Sequence, residues 1–365
     1  MSVRPRPEIE HLKPCHHGSI DYAELAAMGI SPEEVIDFSV CLNPFPPPEV
    51  KKTLNTDAIE RYPDSEATEF RDCLAGKLGI NPDNILAGSG STELIRLIAL
   101  TYFNRGDRVL IPQPTFGEYE IACRIAGANP VRPWRQAADN FTPGVTEIVS
   151  FIRQYKPRAI FICNPNNPTG KYLPRREMEA VLKATGDGLL VIDEAYINFV
   201  DGAESTLDLR NHGNAVILRS MTKDFALAGL RLGYAVAGED IIQNLRRVRP
   251  PWNVNAVAQK AGIVALNNAD YLAKSRLKIK EAREFLVGEL ERLGLKPLPT
   301  DTHFFLVRVG NAGAFHHALL QNRILVRDAT SFGLPGHIRI SPRTLPECRK
   351  LIAVLHELRE KGELE

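Results

Sequence analysis

Short apolar runs alternate with longer amphipathic stretches through the middle of the chain. Such runs stand at Asn84–Ala87, Arg108–Ile111, Ala159–Cys163, Leu189–Ile192, Ala215–Leu218 and Leu232–Val236. Helix-length stretches, among them Ser91–Tyr102 and Tyr119–Ala126, separate most of them. Apolar strands spaced by helices predict an α/β fold, a mostly parallel sheet covered by helices on both faces. Polar or glycine-containing turns follow the strands, at Gly88–Thr92, Asn164–Gly170, Asp193–Tyr196 and Ser220–Lys223. Open α/β sheets bind ligands at the carboxyl ends of their strands, so these turns are expected to converge on one site.

The texture changes after about Pro250. A helical stretch from Ala256 to about Leu293 leads to apolar runs at Phe304–Val309, Ile324–Arg327 and Ile338–Ile340, then a last helix near Pro346–Lys361. This predicts a smaller α+β domain. The expected division is an N-terminal segment, 1–45, joining the small domain, a large domain, 46–250, and a C-terminal domain, 251–365. The proline-rich run Asn43–Pro48 reads as a stiff connector.

Composition narrows the function classes. The 365 residues carry 45 Lys+Arg against 44 Asp+Glu, a net charge of +1. That balance gives no general attraction to nucleic acid, so a small anionic substrate needs a local arginine cluster. The six cysteines are scattered without a CxxC pair, as expected of reduced thiols in a cytoplasmic protein. The opening residues contain no apolar run, so no signal peptide or membrane span is expected.

The turns carry distinctive chemistry. Lys223 follows one apolar strand and Asp193 ends another, with Tyr196 three residues on. Asn167 lies in Asn164–Gly170, and Phe116 in Pro114–Gly117. Gly90-Ser91-Thr92 opens a helix, whose N–H groups suit a phosphate, and Ser220 and Arg231 add a hydroxyl and a fixed positive charge. Each alone has a plain reading: a surface lysine, a helix cap, a turn, a flexible loop, a core aromatic. Together they supply what pyridoxal 5'-phosphate requires: an amine for the aldehyde, a carboxylate for the ring nitrogen, phosphate donors and a ring platform. Tyr196 and Asn167 are then placed to reach the ring hydroxyl, and Phe116 to stack on the ring.

With Asn164–Gly170, Asp193–Tyr196, Ser220–Lys223 and Gly229–Tyr234, the sequence resembles the fold-type I pyridoxal-phosphate enzymes, the aspartate aminotransferase superfamily, over nearly its whole length. The resemblance implies that Lys223 forms the Schiff base and Asp193 partners the pyridine nitrogen. It also implies that Tyr62 reaches the phosphate of a neighbouring subunit's cofactor, hence a homodimer with shared sites.

Within the superfamily the chain is similar to the branch of histidinol-phosphate aminotransferases and threonine-phosphate decarboxylases. Four features favour the decarboxylases: His17-Gly18 followed by Asn43-Pro44; Pro251–Asn255; Arg327 with Arg339; and Arg343. By this resemblance His17, Gly18, Asn43, Arg327 and Arg339 contact a phosphorylated amino-acid substrate. Three stretches depart from the family pattern: Val40-Cys41-Leu42, Ser91-Thr92-Glu93 and His303. The expected activity is decarboxylation of L-threonine O-3-phosphate to (R)-1-aminopropan-2-yl phosphate in cobalamin biosynthesis. The alternative is histidinol-phosphate aminotransferase with 2-oxoglutarate as acceptor. A regulator that keeps the fold without turnover lacks its usual DNA-binding module here. Cys15 and His16-His17 are not read as metal ligands, because no partner follows at regular spacing.

Overall fold

The computed structural model describes residues 3–52, 60–134, 140–141, 144–268 and 270–363. After an irregular N-terminal segment, strand β1 (Ile36–Asp37) precedes the large sheet. That sheet comprises β2 (Ile85–Gly88), β3 (Arg108–Leu110), β4 (Asn129–Val131), β5 (Ala159–Cys163), β6 (Leu189–Asp193), β7 (Ala215–Ser220) and β8 (Gly233–Ala237). Its strand order is β2-β8-β7-β6-β5-β3-β4. Only β8 runs against its neighbours, pairing antiparallel with β2 and β7, so the expected mostly parallel sheet is present.

The apolar runs are continuous because both faces are covered. Alternate side chains serve two different cores: Ile160 and Ile162 of β5 join Leu190 and Ile192 on one face. Phe161 and Cys163 join Leu189 and Val191 on the other. A run without polar interruption is what a strand between two helical layers requires. The edge strand β4 escaped the apolar pattern because Pro130 occupies its centre, a position tolerated where one side pairs with nothing.

A second sheet has the antiparallel order β12-β13-β10-β9, from β9 (Lys296–Pro297), β10 (Phe305–Arg308), β12 (Arg327–Asp328) and β13 (His337–Ile340). Between them in sequence, β11 (Ile324–Leu325) pairs in parallel with β1. The apolar run at Ile324–Arg327 is thus divided between two sheets. Helices Tyr271–Arg292 and Leu345–Glu360 cover this region, with Leu286 and Leu351 buried beside Phe305, Ile338 and the N-terminal Phe38. The last helix starts in a capping box of Thr344 and Glu347.

The helical stretch read as continuous from Ala256 is two helices, Ala256–Asn267 and Tyr271–Arg292. The first packs small residues, Ala258, Ala261 and Ala265, into the large-sheet core with Phe70 and Leu74. The second contributes Ala282, Leu286 and Leu290 to the other core. Among the described residues, no helix is long and apolar enough to cross a membrane.

Candidate active site

Three strand ends of the large sheet build the floor of a cleft of ≈ 430 Å³. At the end of β2, Gly90 has φ +78°, and a Cβ there would lie 2.5 Å from Arg231 Nη2. Glycine therefore lets the Arg231 guanidinium lie against the start of helix Ser91–Tyr102. Among the described residues no carboxylate pairs with Arg231, so its charge and the helix N-terminus are both open to an anion. Ser220, at the end of β7, shares a 2.7 Å hydrogen bond with Thr222 beside this cradle.

The next strand end holds Asp193, buried at 3% exposure. It accepts hydrogen bonds from the Tyr119 hydroxyl at 2.7 Å and the Ala195 N–H at 3.0 Å. Burial nevertheless raises its pKa above the usual aspartate value. A carboxylate desolvated in this way gains most from a cationic N–H, which a protonated pyridine supplies. Lys223 lies past β7 with Nζ 6.0 Å from the Tyr196 ring centroid. Burial, reinforced by the positive charges of Arg231 and Arg339, lowers its pKa and favours the neutral, nucleophilic amine. Phe116 lies over Tyr119 edge-to-face, ring centroids 5.6 Å apart. A buried carboxylate, a neutral-leaning amine and an unpaired guanidinium at a helix start fit pyridoxal phosphate, as expected from the sequence.

The mouth of the cleft belongs to the small sheet and the N-terminal segment. Arg327 and Arg339 are directly paired residues of β12 and β13 and therefore share a face. Two guanidiniums held opposite one another repel unless an anion bridges them. Burial and Arg339 together push Arg327 down to about 10; Arg327 donates to the His16 carbonyl at 2.8 Å and Ser331 Oγ at 2.6 Å, and an anionic ligand would relieve the remaining repulsion. Phe332 stacks on both, with the guanidinium carbons 5.3 and 5.9 Å from its ring centroid. Arg339 donates to Asn167 Oδ1 and to the Ser39 carbonyl. Gly18 fits beside them because a Cβ would meet the Ser39 carbonyl oxygen at 2.6 Å and Arg339 Nη2 at 3.3 Å.

Of the residues singled out from sequence, Lys223, Thr92, Phe116, Asn167, Tyr196 and Arg231 line the cleft, as do His17, Gly18 and Arg339. Ser91, Asp193 and Ser220 lie behind the lining residues, and Arg327 sits at the mouth beside Arg339 on the neighbouring strand without itself lining the cleft. Asn43 does not face the cleft. Its amide donates to the Asp224 carbonyl at 2.9 Å and to Ser275 Oγ at 2.8 Å, while its oxygen accepts from the Phe45 N–H. With its hydrogen bonds committed, Asn43 braces the Lys223 turn, whose carbonyl also accepts from the Asn43 N–H at 2.9 Å. Tyr62 is also remote from the cleft; it is 78% exposed and stacks on Trp252 at 4.4 Å.

Three residues of the site were not anticipated. Tyr119 holds Asp193, Glu118 binds His17 at 3.1 Å, and Asn166 accepts from Thr115 at 2.7 Å, fixing the Phe116 loop to the Asn164–Gly170 turn. All three pair across long sequence separations, and only the Pro114–Gly117 turn hinted at the region.

His303 is buried beneath the site, 3.8 Å from the Phe199 ring centroid, and neither ring nitrogen has a hydrogen-bond partner of good geometry. Burial, with Arg339 and Arg283 nearby, drops its pKa to about 3. The unfolded chain therefore binds a proton here that the folded chain rejects between about pH 6.5 and pH 3. Stability from this residue is full above pH 6.5 and falls by up to about 1.4 kcal/mol per unit of pH below it. His303→Asn is expected to move the acid-unfolding midpoint to lower pH, read by urea denaturation across that range.

The family aminotransferase class I and II matches residues 33–355. A histidinol-phosphate aminotransferase of Moorella thermoacetica is 34% identical over 336 residues, covering 89% of this chain and 86% of that protein. The crystal structure of a histidinol-phosphate aminotransferase from Sinorhizobium meliloti, in complex with pyridoxal-5'-phosphate, superposes with TM-score 0.89 over 99% of both chains at 24% identity. The L-threonine-O-3-phosphate decarboxylase of Porphyromonas gingivalis superposes with TM-score 0.78 at 28% identity, over 88% of this chain and 99% of that one.

These relatives overturn the expectation of threonine-phosphate decarboxylation, because similarity across most of the chain runs to histidinol-phosphate aminotransferases. The structure shows why the marks misled. Within Pro251–Asn255, Trp252 stacks on Tyr62 at the surface, Asn253 binds Glu93, and Asn255 caps helix Ala256–Asn267. Arg343 pairs with Glu347 on the last helix. None of these lines the cleft, and the guanidiniums at its mouth suit anionic groups of either substrate class, so they do not discriminate between them. The family match and the fitted cradle together establish that this chain belongs to the class I and II aminotransferases and uses pyridoxal phosphate.

Proposed function

We propose that the protein transfers the amino group of L-histidinol phosphate to 2-oxoglutarate. The observation that carries this is the facing pair Arg327 and Arg339 at the mouth of a cleft floored by Lys223. Amino transfer passes two different partners through one site. A phosphate monoester on the donor and a dicarboxylate acceptor each bring about two negative charges into the cleft, the phosphate at one point and the carboxylates at the two ends of the acceptor. Guanidinium pairs bind both groups through bidentate hydrogen bonds, so one arginine pair serves each half of the reaction.

The bound cofactor supplies an electron sink for the bond that breaks at the substrate's α-carbon. The chain does the rest. Asp193 keeps positive charge at the ring nitrogen, backed by Tyr119. Asn167, its oxygen held by Arg339, would have its amide N–H free to donate to the ring hydroxyl, together with Tyr196. Lys223, which would hold the cofactor through its amine, would also serve as the general base for the substrate's α-proton, its lowered pKa suiting Nζ to accept and hold a proton. Binding of the remote phosphate by the arginines would orient the substrate's α-carbon toward Lys223.

Arg327→Leu is expected to raise KM for both partners by about 10- to 100-fold, the loss of a charge-assisted hydrogen bond, with a smaller change in kcat. Steady-state kinetics with each substrate varied will check it. The function itself is tested by incubating the protein with histidinol phosphate and 2-oxoglutarate. Stoichiometric glutamate and imidazole-acetol phosphate support the reading; no glutamate at any donor concentration refutes it.

The same reading includes a homodimer. The stacked pair of Tyr62 and Trp252, 78% and 47% exposed, is an apolar surface suited to burial against a second copy. For the domain division, we place the large-to-small boundary within helix Tyr271–Arg292, since helix Ala256–Asn267 packs in the large-sheet core.

A further inference from the structure

We propose that Cys15, His17 and Glu118 form a binding site for a zinc-class divalent cation at the mouth of the cleft. One ligand atom from each, a thiol sulfur, an imidazole nitrogen and a carboxylate oxygen, lies within 4.8 Å of the other two. The His17 Nε2 to Glu118 Oε1 distance is already 3.1 Å. Ligands of a tetrahedral zinc, bonded at about 2.0–2.3 Å, stand roughly 3.3–3.7 Å apart, so only Cys15 needs to close in. Cys15 lies partly exposed on the N-terminal segment, its sulfur against Gly117, where the lack of a Cβ (which would be only 2.5 Å away) leaves it room beside helix Glu118–Ile125.

The rigid member of the set is Glu118. It is buried at 5% exposure at the start of helix Glu118–Ile125, and Arg96 Nη2 holds its other oxygen at 2.9 Å. Arg96 thereby orients the carboxylate and leaves Oε1 for the ion, the part an outer hydrogen bond plays at metal sites. His17, whose side chain is 48% exposed, gives the ion a path from solvent. On binding, the Cys15 thiol releases its proton to water, and His17 takes the tautomer with its hydrogen on Nδ1, leaving Nε2 for the ion. The thiolate and carboxylate then balance the two positive charges, and the fourth position is left to water. A sulfur ligand selects zinc over magnesium or calcium.

Cys15, His17 and Gly117 line the cleft that also holds Lys223. An ion at this point pins the N-terminal segment to helix Glu118–Ile125 across the substrate's entrance. Zinc is therefore expected to inhibit in competition with the amino donor. In the sequence, Cys15 and His16-His17 lacked a third ligand because Glu118 lies 101 residues beyond His17 and only the fold brings it back.

The test uses the holoenzyme and zinc chloride. Competition against a chromophoric chelator is expected to show one tightly held equivalent, weakened at least about 10-fold in Cys15→Ser, with one sulfur at about 2.3 Å by X-ray absorption. Among the described cysteines only Cys15 and Cys73 are not buried, so Cys73→Ser is the control and is expected to bind like the parent. This readout needs no substrate and stands apart from the aminotransferase reading. Equal zinc binding by Cys15→Ser and the parent, or no bound equivalent in the parent, overturns the proposal.

Discussion

Lys223→Ala is expected to lower amino transfer by about 10⁴-fold or more while leaving the fold intact. The side chain lines the cleft, and among the described residues its amine makes no hydrogen bond to the core, so thermal unfolding is expected to change little. What disappears is the amine that, on the proposed reading, joins the cofactor's aldehyde and carries the α-proton; among the described residues Lys223 is the lysine lining the cleft. Burial beside Arg231 and Arg339 keeps that amine neutral at lower pH than a surface lysine. Lys223→Arg restores charge and length without restoring activity, because a guanidinium stays protonated. Single-turnover rates with cofactor bound will check both variants. Activity within about 10-fold of the parent would remove Lys223 from the chemistry.

Asp193→Asn is expected to cost about 10²- to 10³-fold in kcat, the range for removing one preorganised electrostatic partner. Asparagine preserves volume in a fully packed position and can still accept from the Ala195 N–H, so the loss isolates charge. Without the carboxylate nothing in the pocket holds the ring nitrogen protonated, and the electron sink weakens. Tyr119→Phe is the graded companion. It leaves the charge and removes one buried 2.7 Å hydrogen bond, worth about 1.5–3 kcal/mol to a charged group. An Asp193→Asn enzyme with unchanged kcat would show that the carboxylate is structural.

The floor of the site was legible in the sequence because its chemistry is local. Lys223, Asp193 and Gly90–Thr92 each lie within a few residues of an uninterrupted apolar run, and strand ends gather ligands wherever such sheets form. The two-faced burial of β5 and β6 made those runs unmistakable. The mouth was less legible because its contacts are long-range. Glu118 against His17 and Arg339 against Asn167 join segments far apart in sequence, as on the floor does Tyr119 against Asp193. No spacing announces such pairs.

Substrate choice was misread for a related reason. Pro251–Asn255 and Arg343 look distinctive in sequence, yet they cap helices and cover surface. Asn43 looked like a substrate ligand and is a brace, its amide committed to Asp224 and Ser275. Residue type told what these side chains can bond to, and only packing told what they do bond to.

Borohydride reduction of the holoenzyme, followed by proteolysis and mass mapping, tests the central claim most directly. A pyridoxyl group on Nζ of Lys223 alone is the expected result. Its appearance on any other lysine, or on none, would contradict the assignment of this cleft as the catalytic site.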